Sequence, residues 1–272
     1  MKHRPIVVFT DLDGTLLDHD SYSYDAALPA LEMLAEREIP LVLTSSKTKA
    51  EIASLRVDLN NQHPFIVENG GAVYYMSGYF QGDIYPDLCS EKFGISYPEV
   101  IDIIYKLRKE MNFDLSGFND WDANKIVEIT GLQLQDAQKA KERDCGEPIL
   151  WNDSAENLQR FKSELIKHKL RILKGGRFYH VTGLYDKATA VKWLLESYSK
   201  LFGSAPVSVA LGDAGNDLEM LKLVDYPVVI PQKRGYRLEL NDRNDVYYAG
   251  QPAPEGWCEA IQNLMKHNLA EG

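Results

Sequence analysis

The chain has 272 residues, of which 44% are hydrophobic, and it carries a formal net charge of −10. This length predicts two domains, or one with a large insertion, and the hydrophobic fraction is enough for a substantial core. The acidic surface repels a phosphate backbone, and no stretch approaches the roughly 20 apolar residues that span a bilayer, so neither a nucleic-acid nor a membrane partner is expected. Scattered cysteines and an N-terminus without an apolar leader indicate a reducing cytoplasm.

The N-terminal part alternates short apolar runs with amphipathic segments. Runs at 5–10, 40–43 and 64–67 predict buried strands of a parallel sheet. Helices are predicted between them, at 25–38 and around 52–59, where apolar residues recur on one face. A strand that alternates with a helix in this way indicates an α/β fold.

The middle of the chain has more polar and more aromatic residues. Apolar residues recur at helical spacing near 100–107 and 158–165. Strands are predicted at 171–173 and 178–182, around a turn that contains Gly175 and Gly176. Helices and strands in roughly equal share are typical of an α+β module.

The C-terminal part returns to the first pattern. It predicts helices at 187–202, 216–224 and 255–269 and strands at 206–211 and 226–231. Because this alternation matches that of the N-terminal part, we expect both parts to build one sheet.

These patterns together predict an α/β fold with two domains. Residues 1–82 and 184–272 are expected to form a Rossmann-like parallel-sheet core. Residues 83–183 are expected to form an inserted α+β module. The boundaries follow the change in composition, which locates them to within a few residues.

Acidic residues follow two strands of the predicted core. Asp11 and Asp13 come directly after the first strand, and alternation along an extended segment lets both side chains point the same way. Asp213 and Asp217 follow a strand near the C-terminal end. Because parallel sheets bind ligands beyond the carboxyl ends of their strands, four carboxylates there predict a site for a hard cation such as Mg²⁺. Taken singly, each motif is also compatible with a plain turn or a helix cap.

Two further features fit an anionic ligand at the same edge. Ser45 follows the second strand and offers a hydroxyl for a phosphoryl oxygen, and Lys47 comes shortly after it. Lys187 opens the helix after the insertion, where a cation opposes the helix dipole. A lysine in an unfavourable place suggests a role, although a solvated surface lysine remains the alternative.

In combination, these motifs resemble those of the haloacid dehalogenase superfamily of phosphohydrolases. Their order is D-x-D-G-T at 11–15, a serine after the second strand, Lys187, and G-D-x-x-N-D at 212–217. The segment Glu68-Asn69-Gly70-Gly71 and the insertion after it look like the branch with a large α/β cap, and this resemblance implies that the insertion at 83–183 is a cap domain that determines substrate specificity.

Within that branch, the chain is similar to the mannosyl-3-phosphoglycerate phosphatase group. The similarity lies in T-S-S-K-T-x-A-E at 44–51 and in the cap segments at 143–148 and 174–180. Most of the branch has Thr-Gly-Arg after the second strand, where this chain has Ser45-Ser46-Lys47. The departure favours this group over generic sugar phosphatases.

The resemblance implies a Mg²⁺-dependent phosphomonoester hydrolase in which Asp11 becomes an aspartyl phosphate. Asp13 would act first as general acid and then as general base. The metal set of the family falls on the Asp11 carboxylate, the Asp13 carbonyl and Asp213, with Asp217 in support. The expected catalytic and metal-binding residues are Asp11, Asp13, Ser45, Lys187, Asp213 and Asp217.

The expected substrate is a glycosyl phosphoglycerate or another small phosphorylated sugar. A glycosyl phosphoglycerate carries a carboxylate besides its phosphate, and Arg143, Lys174 and Arg177 are candidates to bind it, because arginine forks suit carboxylates. Glu147 is expected to accept hydrogen bonds from sugar hydroxyls, and His180 to add a polar contact. The other expected substrate-binding residues are Ser45, Lys47, Glu68, Asn69, Gly70, Gly175 and Asn216.

Several alternatives remain open at this point. The chain resembles, in its core motifs, sucrose- or trehalose-phosphate phosphatases and sugar phosphatases of broad specificity. A phosphomutase shares D-x-D-G-T and would return the phosphoryl group to a sugar. A non-catalytic binding module is a third alternative, although all four motif positions keep competent residues. The sequence does not indicate an oligomeric state.

Overall fold

A computed structural model describes residues 4–82, 85–175 and 177–268 and contains two β-sheets. The strands are β1 (Ile6–Thr10), β2 (Leu41–Thr44), β3 (Phe65–Val67), β4 (Ala72–Met76), β5 (Leu88–Lys92), β6 (Leu115–Gly117), β7 (Glu147–Trp151), β8 (Leu170–Lys174), β9 (Tyr179–Gly183), β10 (Val207–Gly212), β11 (Tyr226–Val229) and β12 (Tyr247–Tyr248). The larger sheet has eight strands in the order β12-β11-β10-β1-β2-β3-β4-β5, and the smaller has four in the order β6-β7-β9-β8.

The described helices alternate with these strands along the chain. They are α1 (Leu28–Glu36), α2 (Lys49–Asp58), α3 (Tyr97–Met111), α4 (Ala123–Thr130), α5 (Leu134–Lys141), α6 (Ala155–Lys167), α7 (Lys187–Phe202), α8 (Leu218–Leu223) and α9 (Glu255–Asn263). Helix α9 runs into a wider turn that ends at Asn268, and position 269 of the predicted closing helix lies outside the described residues. No helix in the described ranges is both long and apolar enough to cross a membrane.

The larger sheet is parallel from β12 to β3, as the alternation of strands and helices predicted. Its strands are apolar on both faces because helices cover both. Along β1, Val8 packs in a cluster with α1 and α9, whereas Val7 and Phe9 pack on the opposite face with α7 and α8. The mixed α/β fold with a mostly parallel core sheet is therefore confirmed.

The larger sheet extends further along the chain than the predicted core. Strands β4 and β5 add to it in antiparallel orientation, and β5 falls at 88–92, inside the range assigned to the cap. Apolar alternation could not identify β5 because it is an edge strand whose residues are mostly exposed. The predicted boundary residue 83 lies outside the described residues, and the division into two domains stays a prediction.

The smaller sheet is antiparallel throughout and has one face covered by helices. Phe161 and Leu165 of α6 pack with Val100 and Ile104 of α3 against Val181 of β9. The sequence predicted these two helices and the strands at 171–173 and 178–182, but not β6, β7, α4 or α5. Gly176, in the turn between β8 and β9, is outside the described residues.

Candidate active site

The carboxyl ends of three neighbouring parallel strands bring the predicted core residues together. Asp11 follows β1, and Asp213 follows β10, which pairs with β1 in the register Thr10 to Leu211. Ser45 follows β2 on the other side of β1. The sheet order thus places the first strand between the two others, and residues far apart in sequence meet at one edge.

Lys187 lies at the centre of this edge and is fully buried. Its Nζ is 2.5 Å from Asp11 Oδ1 and 2.6 Å from Asp217 Oδ1, and it also donates to the carbonyl oxygen of Thr44 at 3.2 Å. It is the first residue of α7, and Asp186, directly before it, is the N-cap residue of this helix. The lysine that seemed misplaced at a helix N-terminus is therefore held between two carboxylates.

Asp213 and Asp217 are fixed by hydrogen bonds at the end of β10. Asp217 Oδ2 accepts from the backbone N–H groups of Asp213 and Ala214, both at 3.1 Å. Asp213 accepts from the Thr15 hydroxyl at 3.2 Å and from the Gln232 amide at 2.8 Å. These bonds leave the carboxylates little rotational freedom, so the site is preorganised.

Burial dominates the electrostatics of the acidic residues. Loss of hydration raises the pKa of Asp11 to about 8, because Asp213 and Asp217 add to the effect and Lys187 offsets it only in part. Burial, with the charge of Asp217, raises the pKa of Asp213 to about 6. Burial alone would lower the pKa of Lys187, but Asp11 and Asp217 reverse this and hold it above its ordinary value. The positive charge of Lys187 therefore does not fully offset the negative charge of the three carboxylates.

The donor set fits a divalent cation. Carboxylate oxygens of Asp11, Asp213 and Asp217 lie within 4.8 Å of one another. With the ammonium of Lys187, these three carboxylates carry a net charge of −2 when all four groups are ionised. Oxygen-only donors of this charge suit a hard cation. The acidic triad is thus able to bind a metal ion.

Asp13 lies beside this triad rather than in it. Its Oδ2 is 2.7 Å from Lys47 Nζ, and its Oδ1 is buried without a hydrogen-bond partner among the described residues. Ser45 is 1% exposed, and its hydroxyl oxygen accepts from the backbone N–H of Lys47 at 3.2 Å. Asp13, Ser45 and Lys47 therefore lie together.

The segment at 68–71, which follows β3, lies near the site and contacts both the segment after β10 and the start of α7. Asn216 Nδ2 donates to Asn69 Oδ1 at 3.1 Å, which joins this segment to the segment after β10. Gly70 has φ of +95°, and a Cβ there would lie 2.0 Å from the carbonyl oxygen of Asp186. Only glycine allows this approach to the start of α7.

Glu68, a predicted substrate-binding residue, holds the segment before β7. Its carboxylate is buried and accepts from the backbone N–H groups of Asp144, Cys145 and Gly146 at 2.6–3.1 Å. Arg143 Nη2 lies 3.2 Å from the same carboxylate. Both side chains are thus engaged within the protein, and their predicted contacts with a substrate stay predictions that this arrangement does not favour.

A cavity of about 610 Å³ extends from this edge to the smaller sheet. Six of the predicted residues line it, which are Asn69, Lys174, Gly175, His180, Lys187 and Asn216. Loss of hydration, with the nearby charge of Arg143, lowers the pKa of His180 to about 4, so its imidazole is neutral at pH 7. Arg177 is exposed in the turn after β8 and is not among the described residues that line this cavity.

Glu147 faces away from the cavity because of strand alternation. In the register of β7 and β9, Glu147 lies opposite Val181, a residue of the core under α3 and α6. Its carboxylate accepts from the Asn119 N–H at 2.7 Å and from the Tyr97 hydroxyl at 2.8 Å. Burial raises the pKa of Glu147 to about 7. The prediction that Glu147 contacts a sugar is therefore not supported by its position.

The sequence analysis missed Arg171, which does line the cavity. It lies on β8 opposite Thr182, two residues from Leu173, and all three share the cavity-facing side of the smaller sheet. The signal was present in the alternation of β8, in which Leu170 and Ile172 pack in the core while the residues between them point the other way.

Comparisons with known proteins agree with this geometry. A sequence profile of haloacid dehalogenase-like hydrolases matches residues 8–234. The chain is 40% identical, over 98% of its length and 99% of the relative's, to the glucosyl-3-phosphoglycerate/mannosyl-3-phosphoglycerate phosphatase of Methanococcoides burtonii. It is 38% identical, over 96% and 97% of the two lengths, to the protein of that name from Persephonella marina. A haloacid dehalogenase-like hydrolase from Bacteroides thetaiotaomicron has the same fold, with a TM-score of 0.67 and 19% identity over 96% of this chain and 100% of that chain.

Proposed function

Because the chain belongs to the haloacid dehalogenase-like hydrolases, we propose that it is a Mg²⁺-dependent phosphomonoester hydrolase that acts on glycosyl-3-phosphoglycerates. The observation that carries the proposal is the position of Asp11, a buried carboxylate 2.5 Å from Lys187 at the mouth of the parallel sheet. A carboxylate placed in this way is able to attack phosphorus and form an aspartyl phosphate.

Asp11 and Asp13 divide the chemistry between them. Asp11 forms the new bond to phosphorus while the bond from phosphorus to the ester oxygen breaks. Asp13 gives a proton to the leaving alkoxide, then takes one from the water that attacks the aspartyl phosphate, and its partly exposed side chain reaches both. In the second step the bond between phosphorus and Asp11 breaks, inorganic phosphate is released, and Asp11 is restored as a carboxylate and Asp13 as the protonated acid.

The groups around Asp11 balance the charge of the phosphate ester. Mg²⁺ held by Asp11, the Asp13 carbonyl and Asp213, with Asp217 in support, would offset the negative charge on the transferring phosphoryl group. Lys187 keeps its proton between Asp11 and Asp217 and orients both. Ser45 supplies a hydroxyl for a phosphoryl oxygen at the end of β2.

The substrate assignment rests on the relatives and on the cavity. Both curated relatives are named for glucosyl- and mannosyl-3-phosphoglycerate. A cavity of about 610 Å³ lies within the range of roughly 300–1,000 Å³ of small-ligand sites. We assign the chemistry to the core and the choice of substrate to the inserted module, through Lys174, Gly175 and His180. Mannosyl-3-phosphoglycerate, which would yield mannosylglycerate, is the preferred candidate.

A phosphate-release assay tests the proposal. Purified protein with Mg²⁺ is given mannosyl- and glucosyl-3-phosphoglycerate beside sucrose 6-phosphate, trehalose 6-phosphate and mannose 6-phosphate. Preference for the two glycosyl phosphoglycerates is expected. Equal rates on all five would retain the Asp11 chemistry and reject the substrate assignment. Phosphoryl transfer between sugars without net phosphate release would indicate a phosphomutase instead.

A further inference from the structure

The cavity-facing side of the smaller sheet carries Arg171, a cation that no acidic residue pairs with in the described part of the chain. Arg171 donates through Nη2 to the carbonyl oxygen of Tyr185. Its Nε is buried and has no hydrogen-bond partner within the described ranges, and no ion pair there includes this guanidinium. Leaving a buried donor without a partner is unfavourable, and more so on a charged group.

Of the other charged residues that line the cavity, Lys187, Asp186 and Glu219 have partners within the protein, and Lys174 is exposed. Lys187 is held by Asp11 and Asp217. Asp186 caps α7 by accepting from the backbone N–H of Thr189 at 2.9 Å. Lys174 lies exposed at the end of β8, where a hydrated ammonium binds weakly. Arg171 is therefore the cation best placed to recognise a second negative charge on a ligand.

Arg143, in the same module, has more partners within the protein than Arg171 has. Its guanidinium donates to the carbonyl oxygens of Ala140 and Gly146 and faces the carboxylate of Glu68. Arg171 has only the Tyr185 carbonyl as an acceptor among the residues described. Arg171 therefore has fewer partners than Arg143 within the described residues.

We propose that Arg171 binds the glycerate carboxylate of the substrate and so makes the enzyme selective for phosphate esters that carry a neighbouring carboxylate. The inference rests on the proposed function and adds the residue that reads the second anion. The phosphate would lie near Lys187, which lines the cavity and contacts Asp11, and the rest of the molecule would extend toward β8 and β9. A planar guanidinium fork matches a carboxylate in geometry and charge.

A pair of substrates tests this assignment. One is glucosyl-3-phosphoglycerate, and the other is the analogue in which the carboxylate is replaced by a hydroxymethyl group. For Arg171→Gln we expect kcat/KM to fall about 10- to 100-fold for the first ester and less than about threefold for the second. Arg171→Lys should recover part of the loss because it restores charge without the fork. Arg160→Gln, an exposed arginine of α6, is the control and should change neither value.

The outcomes separate the two proposals. Equal losses on both esters, or no loss on either, would overturn the role of Arg171 even if the wild type hydrolyses glycosyl phosphoglycerates. Failure of the wild type on the first ester, with turnover of the analogue, would reject the substrate assignment instead. Binding of both esters to Asp11→Asn, measured by calorimetry with and without Arg171→Gln, gives the same comparison without turnover, and a loss of affinity confined to the carboxylate ester is expected.

Discussion

Replacing Glu147 by glutamine should stabilise the protein at pH 8 and change its stability little near pH 4. Glu147 is 1% exposed, and burial raises its pKa to about 7 from the ordinary value of 4.5. Between these two pH values the folded chain holds a proton that the unfolded chain releases. The free energy of unfolding therefore falls as pH rises through this window and becomes level above it.

The magnitude follows from the same two values. Each pKa unit corresponds to about 1.4 kcal/mol, so the ionised Glu147 costs the folded state about 3 kcal/mol at pH 8. Glutamine has the same shape and carries no charge. Its carbonyl oxygen keeps the hydrogen bond from the Asn119 N–H, and its amide group donates to the Tyr97 oxygen, so both contacts of the carboxylate survive.

Urea unfolding of the wild type and of Glu147→Gln between pH 4 and pH 8.5 measures the effect. The difference in free energy of unfolding should grow by about 3 kcal/mol across the window and follow a single titration near pH 7. Glu128→Gln, whose side chain is 68% exposed, is the matched control and should stay parallel to the wild type within about 0.5 kcal/mol. Parallel curves for Glu147→Gln as well would refute the reasoning, because they would mean that its carboxylate does not titrate in this window.

Three further changes probe the site and its supports. Asp11→Asn should lower phosphate release by about 10⁴-fold or more with an unchanged circular dichroism spectrum, and retained turnover would contradict the covalent step. Gly70→Ala should cost more than about 3 kcal/mol in urea unfolding, because its Cβ would lie 2.0 Å from the carbonyl oxygen of Asp186. Gly131→Ala, with φ of +81° and open space around it, should cost only about 1 kcal/mol, and equal losses would show that the close approach is unimportant. Glu68→Gln should cost about 2–3 kcal/mol, because its amide group cannot accept from three N–H groups; an unchanged midpoint would show that the contact to 144–146 is weak.

The residues of the core site could be predicted from the sequence because their positions follow from short sequence patterns. Apolar runs identify buried strands, and residues that follow parallel strands meet at one edge of the sheet. Asp11, Asp213 and Ser45 are positioned by that rule alone. Lys187 was identified by its poor fit to a helix N-terminus, and the structure supplies the reason, since two carboxylates hold it.

The residues that line the cavity could be identified only from the tertiary structure. A short strand alternates between two faces, but which face meets the helices depends on how α3 and α6 pack, and this is not written in the strand itself. That packing turns Glu147 inward to the module's core and Arg171 outward to the cavity. Both residues are polar members of short strands, so composition alone could not separate them.

The sequence by itself determined the class of fold and the acidic residues that follow its parallel strands. Only the tertiary structure decided which polar residues form hydrogen bonds and ion pairs within the protein and which face the cavity. Glu68 follows a predicted strand as Asp11 does, yet its carboxylate binds N–H groups 76 to 78 positions further along the chain. The physical reason is that a buried polar group must find partners wherever the fold brings them, and those partners come from distant segments.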